Sequence, residues 1–272
     1  MKEVTYTRVQ AEDTTAPVSR SLTFRLRVWH GVVATLHVAT AVAMFIFIAN
    51  RQWFFDGGHI PLACLHVNTS AFVPDERMEI PFELDRHCGT YDLIVSCAVL
   101  HALTAIAHAQ YWRMAPLFPG GWRWVEYYFS GAIVVVHTAL TTGTRDWPSL
   151  VFVATATASI QPFGFSYERA QAKDRTSMTN RDWWLKVART QGVGWVLFGA
   201  ALAVILTNFF ALADVAPDFV TAIIIIQTVL LSLFAFINVA PLSDAAREVA
   251  YTSASVSSKI IPTWIALMSI LK

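Results

Sequence analysis

The chain has 272 residues, of which 55% are hydrophobic and only 14% charged, with a formal net charge of +1. Soluble globular domains carry about a quarter charged residues, so this composition, with a mean hydropathy of +0.48, excludes one and points to an integral membrane protein. The near-neutral balance excludes a strongly basic nucleic-acid binder, and three Cys are too few for a disulfide scaffold. The sequence stays polar and charged through Arg27, without a short apolar segment and small-residue cleavage site, so no signal peptide is expected.

A bilayer-spanning helix needs about 20 apolar residues. Runs of that kind fall at about 28–49, 90–112, 122–143, 147–167, 184–211, 218–240 and 246–271. The predicted fold is therefore an all-α membrane protein, a seven-transmembrane-helix bundle over 28–272 preceded by a tail at 1–27. The seventh run is the weakest, because its first half is rich in Ser and Thr and Lys259 interrupts it. It is kept as a span because 264–271 is apolar and the hydroxyls can bond their own helix backbone. A count of six remains the alternative.

Lys and Arg set the orientation. The N-terminal tail and the even-numbered loops carry fourteen of them, six between Arg169 and Arg189, whereas the odd-numbered loops and the C-terminus carry five. The N-terminus is thus expected in the cytoplasm and the C-terminus outside.

The longest connection, 50–89, then lies outside. Gly57-Gly58, Pro61, Pro74 and Pro81 break it up, and the alternation in Ile80-Pro81-Phe82-Glu83-Leu84 suits a small β-hairpin cap. Cys64 and Cys88 face an oxidising compartment there and are candidates for a disulfide, with two free thiols as the alternative. Asn68-Thr69-Ser70 is a glycosylation sequon on the appropriate side. The spacings of His59, His66 and His87 fit no compact zinc site, and no metal is expected.

Lys259 is the most informative residue. A charged Lys at the centre of a span costs about 2.5–3.5 kcal/mol on insertion scales, and this one lies too deep to snorkel to either interface. It needs a partner charge or a covalent modification. A desolvated Lys amine forms a Schiff base with an aldehyde, and retinal is the membrane-soluble aldehyde that does so in light receptors. The protonated form keeps its charge and requires a counter-ion. Glu126, at the start of the third span, is the carboxylate best placed for it, since Asp92, Asp146, Asp182, Asp214, Asp218 and Glu248 all sit at span ends. Ser255, four residues before Lys259, shares its helix face and can bond the same nitrogen or its own backbone.

The run Arg123-Trp124-Val125-Glu126-Tyr127 resembles the third-helix motif of the heliorhodopsins. Glu248-Val249-Ala250-Tyr251, then Ser255, Lys259 and Trp264, resemble their seventh-helix pattern, and Phe163-Gly164 with Glu168 resembles the end of their fourth helix. The resemblance covers nearly the whole chain. It implies a seven-helix retinal protein with a cytoplasmic N-terminus, which agrees with the Lys and Arg distribution. It implies all-trans retinal as a protonated Schiff base on Lys259, with Glu126 as counter-ion and Ser255 beside it. Tyr127, Ile160, Gly164, Trp195 and Leu231 take pocket positions, while His37, Thr104 and His108 take those of the family's internal polar cavity. Thr104 replaces a Ser, Leu231 an aromatic residue and Thr157 an Asn. Gln161-Pro162 is polar and helix-kinking where the family is apolar.

Five His lie in spans: His30, His37, His101, His108 and His137. His30 and His37 are seven apart, as are His101 and His108, so each pair shares a helix face, and both faces are expected toward the inner half of the bundle. In the third span Glu126, Ser130 and His137 lie near one face. Two functions follow. One is a photosensory receptor in which the Schiff-base proton moves to an inner His cavity and the altered helices signal to a cytoplasmic partner. The alternative is light-activated proton transport through Glu126, His137 and the other intramembrane His. Besides retinal, the lipid bilayer and a homodimer are the expected partners; the small residues Ala154, Ala156, Ala158, Gly192, Gly194 and Gly199 in spans four and five could serve a dimer contact or internal packing. No catalytic triad or phosphate loop is visible, and no enzyme activity is expected.

Overall fold

The computed structural model describes residues 20–49, 59–61, 64–67, 82–85, 90–115, 121–174, 179–214, 216–240 and 242–270. Within them run seven long helices: α1 (Arg20–Ala49), α2 (Leu93–Met114), α3 (Gly121–Thr141), α4 (Trp147–Asp174), α5 (Asn180–Leu212), α6 (Asp218–Val239) and α7 (Asp244–Ile270). Each coincides with one of the seven apolar runs. Two extend well beyond them: α1 begins eight residues ahead of its run and α4 continues seven residues past it. These additions are polar turns, which a helix can carry into water once the apolar part is seated in lipid.

Local sequence sets several ends. Asp92 caps α2 by accepting from the Val95 amide at 3.0 Å. Thr179 caps α5 and exchanges bonds with Asp182, so a cap oxygen satisfies a free first-turn amide. Gly143 ends α3 with φ +95°. The Gly143 amide bonds the Leu140 carbonyl and the Thr144 amide the Ala139 carbonyl, a Schellman closure that needs a residue at positive φ. A side chain there would also strike Leu212.

Among its described residues, the loop between α1 and α2 contains four short strands: β1 (His59–Pro61), β2 (Cys64–Val67), β3 (Phe82–Asp85) and β4 (Thr90–Asp92). The small β cap is therefore present, but as two antiparallel pairs. β2 pairs with β3, while β1 pairs with β4 at the entry to α2. Cys88 and the sequon lie outside the described residues, as does the Cys64 side chain.

Four helices, α1, α2, α5 and α6, are long and apolar enough by themselves to cross a membrane. The other three, α3, α4 and α7, carry polar residues that the bundle buries: Arg123, Glu126 and Ser130 on α3, Thr157 on α4, and Glu248, Ser255 and Lys259 on α7. Burial against neighbouring helices replaces the hydrogen bonds that lipid cannot supply. Toward one end, Val135, Leu140, Leu150, Ile205 and Ile224 form an apolar core joining α3 to α6. Met44, Ile94 and Leu267 tie α1 and α2 to α7. Ile106, Phe129, Val196 and Phe236 are exposed on the outer surface, as expected of lipid-facing positions. Ala156 and Ala158 are buried, and Gly194 abuts Ile160 and Phe163, whereas Gly192 and Gly199 face open space.

Candidate functional site

Lys259 and Glu126 meet in the middle of the bundle. Lys259 Nζ donates to Glu126 Oε1 at 2.5 Å, and both side chains are buried. The same oxygen accepts from Ser130 Oγ at 2.7 Å, one turn along α3, and from Thr104 Oγ1 of α2 at 3.3 Å. Glu126 Oε2 has no hydrogen-bond partner among the described residues. Three donors from three helices therefore converge on one carboxylate oxygen. Lys259 Nζ also lies 5.4 Å from the centre of the Tyr127 ring.

Lys259 forms one wall of a cavity lined by α3 to α7. Tyr127, Ile160, Gly164, Trp195 and Leu231 all line it, with Ser255. Its walls are mainly apolar and aromatic, with Trp124, Phe198 and Phe234 among them, and such a lining with few polar groups suits an apolar ligand. Gly164 is required by close approach: a Cβ there would lie 2.2 Å from the Trp124 ring. Ser255 Oγ is buried and unpartnered among the described residues, on the wall shared with Lys259. Thr157, Gln161, Gln191 and Asn238 contribute polar atoms to the same wall. An apolar cavity closed at one side by a buried amine fits a long apolar aldehyde such as retinal. The residues present are suited to it.

The histidines form cross-helix pairs. His37 Nδ1 and His101 Nδ1 are 2.8 Å apart, and His30 Nδ1 and His108 Nδ1 are 3.1 Å apart. Because α1 and α2 run antiparallel, the seven-residue spacing on each helix brings both pairs into register. The expected common position in one half of the bundle does not hold. His30 reaches Glu248 Oε1 at 3.4 Å near the start of α7, whereas His101 Nε2 contacts Thr263 Oγ1 at 3.2 Å, one turn beyond Lys259. Thr104 and His108 lie one turn apart on α2, and both are buried.

His137 is separate from these pairs. Its Nε2 lies 2.6 Å from Ser96 Oγ and its Nδ1 3.7 Å from Cys97 Sγ. It lines a second, smaller cavity together with Cys97, Gln227, Thr263 and Lys259. Ser130 lies with Glu126, but His137 contacts α2 instead.

A buried ion network at the start of α7 was not anticipated from the sequence. Arg123 bonds Glu248 and, at 3.3 Å, Glu168; Trp124 Nε1 donates to Glu168 Oε2 at 2.5 Å. The Arg123 guanidinium also lies 4.6 Å from the Tyr251 ring centre. Glu248 is therefore an interior residue, although it stands near a span end. Its spacing carried the signal: Glu248, Thr252, Ser255 and Lys259 recur at intervals of four, three and four, which places all four on one helical face.

The fold and the site define a seven-helix membrane protein of the rhodopsin type. The crystal structure of Exiguobacterium sibiricum rhodopsin superposes with a TM-score of 0.63 over 92% of this chain and 97% of that one, at 14% sequence identity, a likeness of fold alone. The heliorhodopsin family model matches residues 26–271, so the chain belongs to the heliorhodopsin family of light-sensing retinal proteins. No curated protein gives a significant match.

Proposed function

We propose that this protein is a sensory photoreceptor in which retinal is held on Lys259 and light moves a proton from that nitrogen into the polar interior. The single observation that carries this reading is the buried Lys259–Glu126 pair, 2.5 Å apart, at the wall of an apolar cavity. When bound there, retinal supplies visible absorption and a light-driven bond rotation. The chain's residues do the rest. Glu126 holds the positive charge at Lys259, and Ser130 and Thr104 fix the orientation of its carboxylate. Tyr127 and Trp195 pack the cavity against water, and Gly164 leaves room between α3 and α4. Ser255 Oγ, without another partner among the described residues, is available to the Lys259 nitrogen when that nitrogen turns.

A proton leaving Lys259 reaches Glu126, and through Thr104 the His108 imidazole one turn away. Among the described residues, His108 and His37 each keep an unpartnered Nε2, so each ring has a nitrogen open to receive a proton. Loading a buried neutral group with charge alters the packing of α1 and α2, and that change is the signal read by a cytoplasmic partner. The excess of Lys and Arg on the N-terminal side supports a cytoplasmic N-terminus and an external C-terminus. Outward-facing Gly192 and Gly199 on α5 suit close contact with a second copy.

The test is spectroscopic. Protein purified with all-trans retinal should be coloured, bleach in hydroxylamine under light, and pass through a blue-shifted state as the proton leaves Lys259. A colourless protein would refute the reading.

A further inference from the structure

The four histidines of α1 and α2 form a single ordered column. Starting from Thr263, its hydroxyl meets His101 Nε2 at 3.2 Å, and His101 Nδ1 meets His37 Nδ1 at 2.8 Å. Farther along, His108 Nδ1 meets His30 Nδ1 at 3.1 Å, and His30 Nε2 meets Glu248 Oε1 at 3.4 Å. His101 and His30 each use both ring nitrogens, one toward each side. The only imidazole nitrogens in the column without a partner among the described residues are His37 Nε2 and His108 Nε2. They belong to the two rings at the middle, which lie stacked at 6.2 Å and 11°. All four rings are buried. The column is thus continuous except for one break, and the break is beside Thr104, the residue that bonds Glu126.

Both ends lead onward. Glu248 joins Arg123 and Glu168 at the inner end. At the other end Thr263 opens into the cavity shared by Lys259, Cys97 and His137, and His137 continues to Ser96 near the start of α2. Structural cross-linking of two helices needs neither a second nitrogen on each ring nor a path that runs the depth of the bundle. Neutral imidazole carries a proton on one nitrogen and accepts at the other, which is what conduction in single file requires.

We propose that this column is a light-gated proton pathway through the membrane, closed at the His37–His108 step in the dark and completed when the light reaction, transmitted through Glu126 and Thr104, brings the two unpartnered Nε2 atoms into hydrogen-bond contact. It rests on the proposed light reaction at Lys259. The proton balance is simple. His108 gains a proton on Nε2 and releases one from Nδ1 to His30 Nδ1, and His30 releases one from Nε2 to Glu248. On the other side His101 takes a proton on Nε2 from the Thr263 hydroxyl and passes one from Nδ1 to His37 Nδ1, and the proton that His37 then releases from Nε2 is the one His108 gains. The hydroxyl is refilled from the His137 cavity. Each ring returns to neutral as the other tautomer, and no oxidant, metal or co-substrate is needed.

The test combines two measurements on the full chain. The first needs no chromophore: nitrogen-15 histidine NMR should show coupling across the hydrogen bonds between Nδ1 of His37 and His101, and of His30 and His108. Absence of both couplings overturns the column. The second is voltage-clamp recording in the light. A current is expected whose reversal potential shifts by about 59 mV for a tenfold change in proton ratio and ignores sodium and potassium. His101→Gln and, separately, His30→Gln keep a hydrogen-bonding side chain but cannot relay a proton; each should lower the current at least tenfold while the visible band stays in place. His137→Ala should reduce it in the same way. A coloured protein without photocurrent, or full current in both Gln variants, overturns the pathway and leaves the retinal reading standing. A colourless protein removes both.

Discussion

Ser130 Oγ and Lys259 Nζ converge on a single oxygen of Glu126, at 2.7 and 2.5 Å, one from the helix that carries the carboxylate and the other from α7. Ser130 is one turn from Glu126 on α3, so it holds the carboxylate rotamer without long-range support. Lys259 arrives from α7. The geometry assigns Ser130 to positioning and Glu126 to charge, and the two roles separate experimentally.

Glu126→Gln should shift the visible band strongly to longer wavelength or abolish it at neutral pH, because the positive charge at Lys259 loses its partner. Ser130→Ala should leave the band within a much smaller shift while changing the rate at which the blue-shifted state decays. Absorption spectra and flash photolysis of the two variants distinguish them. An unchanged Glu126→Gln spectrum would assign the counter-ion elsewhere.

Gly164→Val tests the cavity. Its side chain would occupy the space now filled by the Trp124 ring, since a Cβ alone lies 2.2 Å from it. Overpacking of this kind costs typically about 1–3 kcal/mol, and here it also moves a wall of the chromophore cavity. Lower pigment yield and faster thermal bleaching are expected; wild-type yield and stability would show that Trp124 relocates freely.

Removing Arg123 should be more damaging than removing its charge together with that of Glu248. Arg123→Gln leaves Glu248 buried without its cationic partner, and breaking a buried pair on one side costs about 3–5 kcal/mol. Joint replacement by Arg123→Gln and Glu248→Gln should recover part of that loss. Thermal denaturation in detergent, followed by circular dichroism, compares the single and double variants; equal melting temperatures for the two would mean that Glu248 carries no uncompensated charge once Arg123 is gone.

The helices were largely legible from hydropathy, because lipid demands a continuous apolar run and the chain supplies seven. Asp218–Val239 illustrates this, being apolar nearly throughout and ending within a residue of expectation. The polar extension of α4 to Asp174 was not legible, since beyond the bilayer the helix no longer needs apolar residues. Lys259 identified itself by its cost, and Glu126 followed as its nearest available charge. The histidine pairing was hidden for a different reason: seven-residue spacing shows that His30 and His37 share a face, but the register between α1 and α2 is set by packing. Glu248 was read as a span-end charge because position along the run was weighed ahead of its spacing from Lys259.

Attachment of retinal at Lys259 is the central claim, and reductive trapping tests it most directly. Treating the coloured protein with borohydride and mapping the product by mass spectrometry should place a retinyl group on the peptide containing Lys259, with none on any other Lys, and Lys259→Ala should remain inserted but colourless and unlabelled. A retinyl group on a different residue, or a visible band of normal intensity in Lys259→Ala, would contradict the account.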